Sequence, residues 1–77
     1  MNIVIYSRSN CPNCTTAKRL LDSKGIGYFE CDVGLESNRL DLLNRYPEAK
    51  QLPQITINNQ RVGGLAGLQA ALKELGL

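Results

Sequence analysis

The sequence predicts an α/β domain with its elements in the order β-α-β-α-β-β-α. Short runs of β-branched and aromatic residues alternate with stretches of helical periodicity. The first strand, helix and second strand fit within residues 2–33, a suitable length for a βαβ unit with parallel strands. The chain has 77 residues, of which 43% are hydrophobic and 21% charged. This composition is typical of a folded protein, and we expect residues 1–77 to form one domain.

The first βαβ unit is the most clearly patterned part of the chain. Residues 2–6 form a continuous run without alternation, which predicts a strand covered on both faces. Pro12 suits the first turn of a helix that runs to Lys24, and Gly25 ends it. One face of this helix carries Cys14, Ala17, Leu20 and Leu21. Residues 28–33 predict the second strand.

The second half of the chain predicts two more helices and a hairpin. A helix over residues 36–46 would turn Leu40 and Leu43 inward and end at Pro47. The alternation in residues 54–57 predicts a strand with one covered face. Asn58 and Asn59 suit a two-residue hairpin turn before a short strand at 60–62. Gly63 and Gly64 break that strand, and the last helix carries one stripe of Leu65, Leu68, Leu72 and Leu75.

Charge and hydropathy exclude several classes of function. Lys and Arg number 9 against 7 Asp and Glu, and the resulting net charge of +2 is scattered along the chain. So weak and even a balance does not indicate nucleic-acid binding. No apolar run approaches the ~18 residues of a membrane span, and the first twenty residues show no secretory signal. We therefore expect a cytoplasmic protein that acts neither on membranes nor on nucleic acids. Nothing in the sequence indicates a dimer interface, so a monomer is the default expectation.

Cysteine usage narrows the chemistry. The chain has Cys11, Cys14 and Cys31, and no His. An odd number of cysteines without a secretory signal disfavours a disulfide framework. A structural zinc site normally takes four Cys or His ligands, so we expect no metal. The lack of His also removes the usual base of Cys–His and Ser–His catalysis, which leaves dithiol–disulfide exchange for the Cys-Pro-Asn-Cys motif.

The position of this motif at a helix start assigns a role to each thiol. Cys11, just before the helix, and Cys14, three residues later, fall on one side of its first turn, at a Cα separation that suits a disulfide. The positive end of the helix dipole and the nearby Arg8 favour a Cys11 thiolate, which is the nucleophile. Cys14 lies on the apolar face and would resolve the mixed disulfide. A bare CxxC also occurs in metal-binding or inert segments, but a strand-to-helix junction favours the redox interpretation.

Three segments together resemble the glutaredoxin family over nearly the whole chain. They are Tyr-Ser-Arg-Ser-Asn-Cys-Pro-Asn-Cys at 6–14, Leu-Pro-Gln-Ile-Thr-Ile-Asn at 52–58 and Val-Gly-Gly at 62–64. The resemblance implies a thioredoxin-like fold, in which three helices flank a central mixed four-stranded sheet. It also implies that Pro53 is a cis-proline beside the active site.

The resemblance further implies a groove for glutathione, which would serve as the reductant. Arg8 would bind a glutathione carboxylate, although a solvated loop Arg is the plainer alternative. The main chain of Leu52 would pair with the cysteinyl backbone of glutathione. After Gly64, the N–H groups of Leu65 and Ala66 would hold the γ-glutamyl carboxylate, unless this is an ordinary strand-to-helix turn.

Two departures from the family pattern affect this groove. Asn13 stands where the family commonly has Tyr, so it offers a hydrogen bond but no aromatic wall. Leu65–Ala66–Gly67 lacks the Asp that grips the γ-glutamyl amine in the family. A charge-assisted contact of that kind contributes about 1.5–3 kcal/mol, so we expect glutathione affinity to fall by about one or two decades.

The resemblance implies a dithiol oxidoreductase that reduces protein disulfides and glutathionylated proteins, with ribonucleotide reductase as a family-level partner. A redoxin recharged by thioredoxin reductase is an alternative that suits the missing Asp. An iron–sulfur carrier, in which two chains and two glutathiones share a cluster, is a second alternative disfavoured by Pro12 and Cys14. Cys31 lies between two acidic residues that would raise its pKa, so we expect a structural thiol, with a regulatory or dimer-forming thiol as the alternative. Lys50, Gln51 and Arg61 receive no role.

Overall fold

The computed structural model describes residues 1–77, in which four strands form one mixed sheet. The strands are β1 (Ile3–Ser7), β2 (Phe29–Asp32), β3 (Gln54–Ile57) and β4 (Gln60–Gly63). Their spatial order is β2-β1-β3-β4. The β1 strand runs parallel to β2 and antiparallel to β3, and β4 is antiparallel to β3. The predicted element order and the parallel first pair are confirmed.

Three helices cover the two faces of the sheet. They are α1 (Pro12–Ser23), α2 (Glu36–Arg45) and α3 (Leu65–Glu74). The helices α1 and α3 pack against each other, whereas α2 packs against β2. The core between the sheet and the α1–α3 pair consists of Ile3, Ile5, Ala17, Leu21, Ile55, Ile57, Leu68 and Leu72. None of the three helices has both the length and the apolar character needed to cross a bilayer.

The β3 strand is buried on both faces, so the expectation of one covered face is wrong. Gln54 and Thr56 lie on the face opposite the core, yet they are only 9% and 6% exposed. Because β3 lies between β1 and β4, both its edges are paired and its polar face is covered as well. The hairpin prediction is confirmed, since Asn58 and Asn59 join β3 to β4 with φ of 51° and 68°.

The rotation of α2 also differs from the prediction. Leu40 and Leu43 are exposed, and Leu42 is the buried leucine of this helix. Two polar contacts account for this rotation. The Asn38 side-chain amide donates to the carbonyl of Asp32 at 3.0 Å, and Asp41 accepts from the Tyr6 hydroxyl at 2.6 Å. Both contacts turn the polar residues of α2 toward the sheet.

The α3 helix is seated closely on β4 because one of its positions has no side chain. A Cβ atom placed on Gly67 would overlap the carbonyl oxygen of Val62 and lie 2.8 Å from its carbon. Leu68 and Leu72 are buried below this contact, whereas Leu75 is 55% exposed and does not extend the predicted stripe. The close approach fixes where the N-terminus of α3 lies.

Candidate active site

Cys11 and Cys14 form a disulfide at the start of α1, with their Cα atoms 5.2 Å apart. Cys11 is the N-cap residue, and its sulfur accepts a hydrogen bond from the main-chain N–H of Cys14 at 3.2 Å. Pro12 occupies the first helical turn, where its missing N–H leaves no hydrogen bond unmade. In the reduced state, this N–H and the helix dipole favour negative charge on the Cys11 sulfur.

The two cysteines differ in exposure, as expected if Cys11 is the attacking thiol and Cys14 the resolving thiol. Cys14 is 1% exposed and faces the core side of α1, whereas Cys11 is half-buried. An incoming disulfide therefore meets Cys11 first. Asn10 turns the chain into the motif with a φ of 59°, a left-handed conformation that Asn tolerates.

A loop from another part of the chain faces the disulfide. The Leu52–Pro53 peptide bond is cis, as the family resemblance implies. The carbonyl oxygen of Leu52 lies 3.7 Å from the Cys11 sulfur. In the reduced protein, this oxygen can accept a hydrogen bond from the Cys11 thiol. The main-chain N–H of Leu52 has no partner within the chain and remains free to pair with a bound molecule.

A cleft of about 380 Å³ lies beside this loop, between the N-termini of α1 and α3. Nine residues line it, and none of them is charged: Asn13, Gln51, Leu52, Pro53, Gln54, Gly64, Leu65, Ala66 and Gln69. Six of these are residues that the sequence predicted for the glutathione groove. Arg8, the seventh, is exposed and does not line the cleft.

The sequence prediction missed Gln54 and Gln69, which line this cleft, and assigned no role to Gln51, which lines it as well. Gln51 and Gln54 flank the Leu52–Pro53 bond, and Gln69 lies one turn after Leu65 on α3. The only signal for them is position, because each lies within four residues of a predicted groove residue. Their amide groups give the cleft both donors and acceptors without net charge.

A second cleft, also of about 380 Å³, adjoins the first and shares Gln51, Gln54 and Gly64 with it. This second cleft carries charge from Glu48, Lys50 and Arg61. Arg61 forms a salt bridge with Glu48 and stacks its guanidinium over the Tyr46 ring, 4.8 Å from the centroid. Arg61 is therefore already engaged on two sides.

Behind the site, two hydrogen-bonded groups tie helices to the sheet. Glu30 accepts from Ser7 at 2.6 Å and from the Lys18 ammonium at 2.7 Å, and both contacts lower the pKa of Glu30. On the other face, burial together with the hydrogen bond to Asp41 raises the pKa of Tyr6 to about 12. These contacts fix both faces of the sheet at the end of β1 that leads into the motif.

Cys31 is half-buried and forms no disulfide. Burial raises the pKa of its thiol, and the charge of Asp41 raises it further. The predicted direction is correct, but burial rather than the flanking acids is the main cause. The chain has no group of three or more Cys, Asp or Glu side chains that could hold a metal ion.

Comparisons with known proteins agree with this architecture. A family model described as Glutaredoxin matches residues 3–62. Glutaredoxin 3 of Escherichia coli strain K12 is 37% identical over 70 residues, which are 90% of this chain and 83% of that protein. Glutaredoxin 1 of Rickettsia conorii is 35% identical over 74 residues, covering 94% and 72%. The solved structure of reduced Escherichia coli glutaredoxin superposes with a TM-score of 0.79 at 32% identity, covering 100% of both chains.

Proposed function

This chain belongs to the glutaredoxin family of thiol–disulfide oxidoreductases, and we propose that glutathione is its reductant. The observation that carries the proposal is the position of Leu52, whose carbonyl oxygen lies 3.7 Å from the Cys11 sulfur, whose main-chain N–H is free, and which lines one cleft together with the N-terminus of α3. Residues 1–77 would act as one cytoplasmic redox domain.

In the proposed reaction, the Cys11 thiolate attacks a sulfur of a protein disulfide or of a glutathionylated protein. A new S–S bond forms to Cys11, the substrate S–S bond breaks, and the released thiolate takes up a proton. Cys14 then attacks the Cys11 sulfur, releasing the second substrate thiol and closing the Cys11–Cys14 disulfide. Two glutathione molecules reduce this disulfide in two further exchanges and leave as glutathione disulfide.

Glutathione would lie extended along the Leu52–Pro53 loop. The N–H and C=O of Leu52 would pair with its cysteinyl backbone, which brings the glutathione sulfur toward Cys11. The first-turn N–H groups of α3, from Leu65 and Ala66, would donate hydrogen bonds to the γ-glutamyl carboxylate. Asn13 would border the sulfur, whereas Arg8, which is exposed and does not line the cleft, is assigned no contact with glutathione.

The uncharged cleft wall favours a second candidate. Glutathione carries an ammonium group, yet neither the nine lining residues nor the first turn of α3 includes an acid. A cleft lined by amides suits a neutral polypeptide segment at least as well. The second candidate is therefore a redoxin that thioredoxin reductase recharges and that donates electrons to a protein such as ribonucleotide reductase.

Reduction of a small mixed disulfide with two recharging systems distinguishes the candidates. One system contains glutathione, glutathione reductase and NADPH, and the other contains thioredoxin reductase and NADPH. We expect turnover with the glutathione system, and Cys11→Ser gives the background rate in both. Turnover with thioredoxin reductase alone would overturn the proposal in favour of the second candidate.

A further inference from the structure

The loop that faces Cys11 has almost no hydrogen bonds of its own. Between Lys50 and Pro53, no main-chain N–H or C=O takes part in a main-chain hydrogen bond. The loop nonetheless places the Leu52 carbonyl 3.7 Å from the Cys11 sulfur. A segment without main-chain hydrogen bonds needs another source of order if it is to present its peptide groups in one position.

The side chain of Gln54 supplies that order. Its Nε2 donates to the carbonyl oxygen of Gln51 at 2.9 Å, closing a ring across Leu52 and Pro53. Apart from the contact of the Leu52 carbonyl with the Cys11 sulfur, this is the one hydrogen bond within the chain to the main chain of the loop.

Gln54 is itself held firmly in place. It opens β3, where it pairs with Tyr6 of β1 in the interior of the sheet, and it is only 9% exposed. The hydrogen bond from the Gln54 amide therefore anchors the loop to the sheet. This contact depends on a donor at position 54, because an apolar side chain would remove the hydrogen bond to the Gln51 carbonyl and a carboxylate would repel that oxygen.

We propose that Gln54 is a positioning residue for thiol–disulfide exchange, which holds the Leu52 peptide groups opposite Cys11. Its effect on substrate binding rests on the proposed pairing of substrate with Leu52. Its effect on the reduced Cys11 thiol does not rest on that pairing, because this effect depends only on the distance between the Leu52 carbonyl oxygen and the Cys11 sulfur. Gln54 touches no reacting atom and acts through Leu52.

The test compares Gln54→Met and Gln54→Glu with Thr56→Val. Methionine keeps the volume but removes the donor, and glutamate keeps the shape but replaces the donor with an acceptor. Thr56 is buried on the same face of the same strand, two residues further from the loop, and makes no side-chain hydrogen bond. Two readouts are measured on folded protein: kcat and KM for a disulfide substrate, and the pH profile of iodoacetamide alkylation of reduced Cys11 in a Cys14→Ser, Cys31→Ser background.

We expect kcat/KM to fall about tenfold in Gln54→Met, mainly through KM, and further in Gln54→Glu, since a lost charge-free hydrogen bond corresponds to about one decade. We expect the alkylation midpoint to move to lower pH in Gln54→Met, because a carbonyl that accepts from the thiol favours its protonated form. Thr56→Val should change neither readout.

If both Gln54 variants lower the melting temperature but keep the wild-type KM and alkylation midpoint, Gln54 is only structural and the proposal fails. An unchanged KM with a shifted midpoint would instead contradict the proposed pairing of substrate with Leu52.

Discussion

The carbonyl oxygen of Leu52 lies 3.7 Å from the sulfur of Cys11, although 41 positions separate the two residues. The contact arises because β1 and β3 are antiparallel neighbours, so the end of β1 and the start of β3 meet at one edge of the sheet. The motif follows β1, and the loop precedes β3. A dithiol at a helix N-terminus thereby faces a free peptide group that can receive an extended chain.

Substitution of Cys11 and substitution of Cys14 should affect the two classes of disulfide substrate differently. Cys14→Ser leaves Cys11, the more accessible of the two thiols, able to exchange with glutathione mixed disulfides, so we expect that activity to persist. Reduction of protein disulfides requires the second thiol and should be lost. Cys11→Ser should lose both activities. Coupled NADPH consumption with each substrate measures this, and an equal loss of both activities in Cys14→Ser would disprove the division of roles.

Ala66→Asp should strengthen glutathione binding. The residue is exposed in the first turn of α3 and lines the cleft, so a carboxylate there can meet the glutathione ammonium group. A charge-assisted contact contributes about 1.5–3 kcal/mol, which corresponds to a fall in the KM for glutathione of about one or two decades. Ala70→Asp adds the same charge on an exposed position of α3 outside the cleft wall and serves as the control. An equal change of the KM for glutathione in both variants would show that the effect comes from the overall charge of the protein and not from a contact in the cleft.

Gly67→Ala should destabilise the fold. Alanine normally stabilises a helix interior relative to glycine by about 1 kcal/mol. Here its Cβ would overlap the Val62 carbonyl, and overpacking of this kind costs about 1–3 kcal/mol or more. Gly27→Ala is the matched control, because a Cβ at Gly27 meets nothing within 4 Å. Urea denaturation of both variants gives the free energies of unfolding. A Gly67→Ala protein as stable as the wild type would show that α3 is not seated so closely on β4.

The Tyr6–Asp41 hydrogen bond should make the free energy of unfolding depend on pH in the alkaline range. The pKa of Tyr6 is raised from its ordinary value of 10.0 to about 12, first by burial and then by Asp41. Because the folded state favours the neutral phenol, this contribution is complete below about pH 10 and is lost as pH rises toward about 12.

Tyr6→Phe removes this contribution. The wild type should therefore exceed Tyr6→Phe in free energy of unfolding at pH 8, and the difference should shrink between pH 10 and pH 12. The raised pKa of Tyr28 affects both proteins and cancels in the comparison. A difference that stays constant over this range would contradict the assignment.

The sequence predicted the parts of the fold that local patterns control. The Cys-Pro-Asn-Cys helix start, the Gly25 stop with its φ of 66° and the Asn58–Asn59 turn all depend on the conformational preferences of single residues. The periodicity of α1 was equally informative because its apolar face meets the main core. In each of these cases, the local conformational preference agrees with the conformation that the residue adopts in the fold.

Other features depend on long-range contacts that no local pattern encodes. The rotation of α2 is set by hydrogen bonds to Asp32 and Tyr6, so leucine spacing alone gave the wrong inward residues. The cis bond at Pro53 was implied only by family resemblance. Gln54 looked like an ordinary strand residue, and its contact with the Gln51 carbonyl appears only once the loop is folded.

Identifying the thiol that carries glutathione tests the assignment of Cys11 as the nucleophile. Cys14→Ser protein would be incubated with glutathione disulfide at neutral pH, digested without reductant and analysed by peptide mass spectrometry. If Cys11 is the nucleophile, one glutathionyl group will be found on the peptide that contains Cys11, with Cys31 unmodified because burial raises the pKa of its thiol. Glutathione found mainly on Cys31, or on neither cysteine, would contradict the assignment of Cys11 as the nucleophile that exchanges with glutathione.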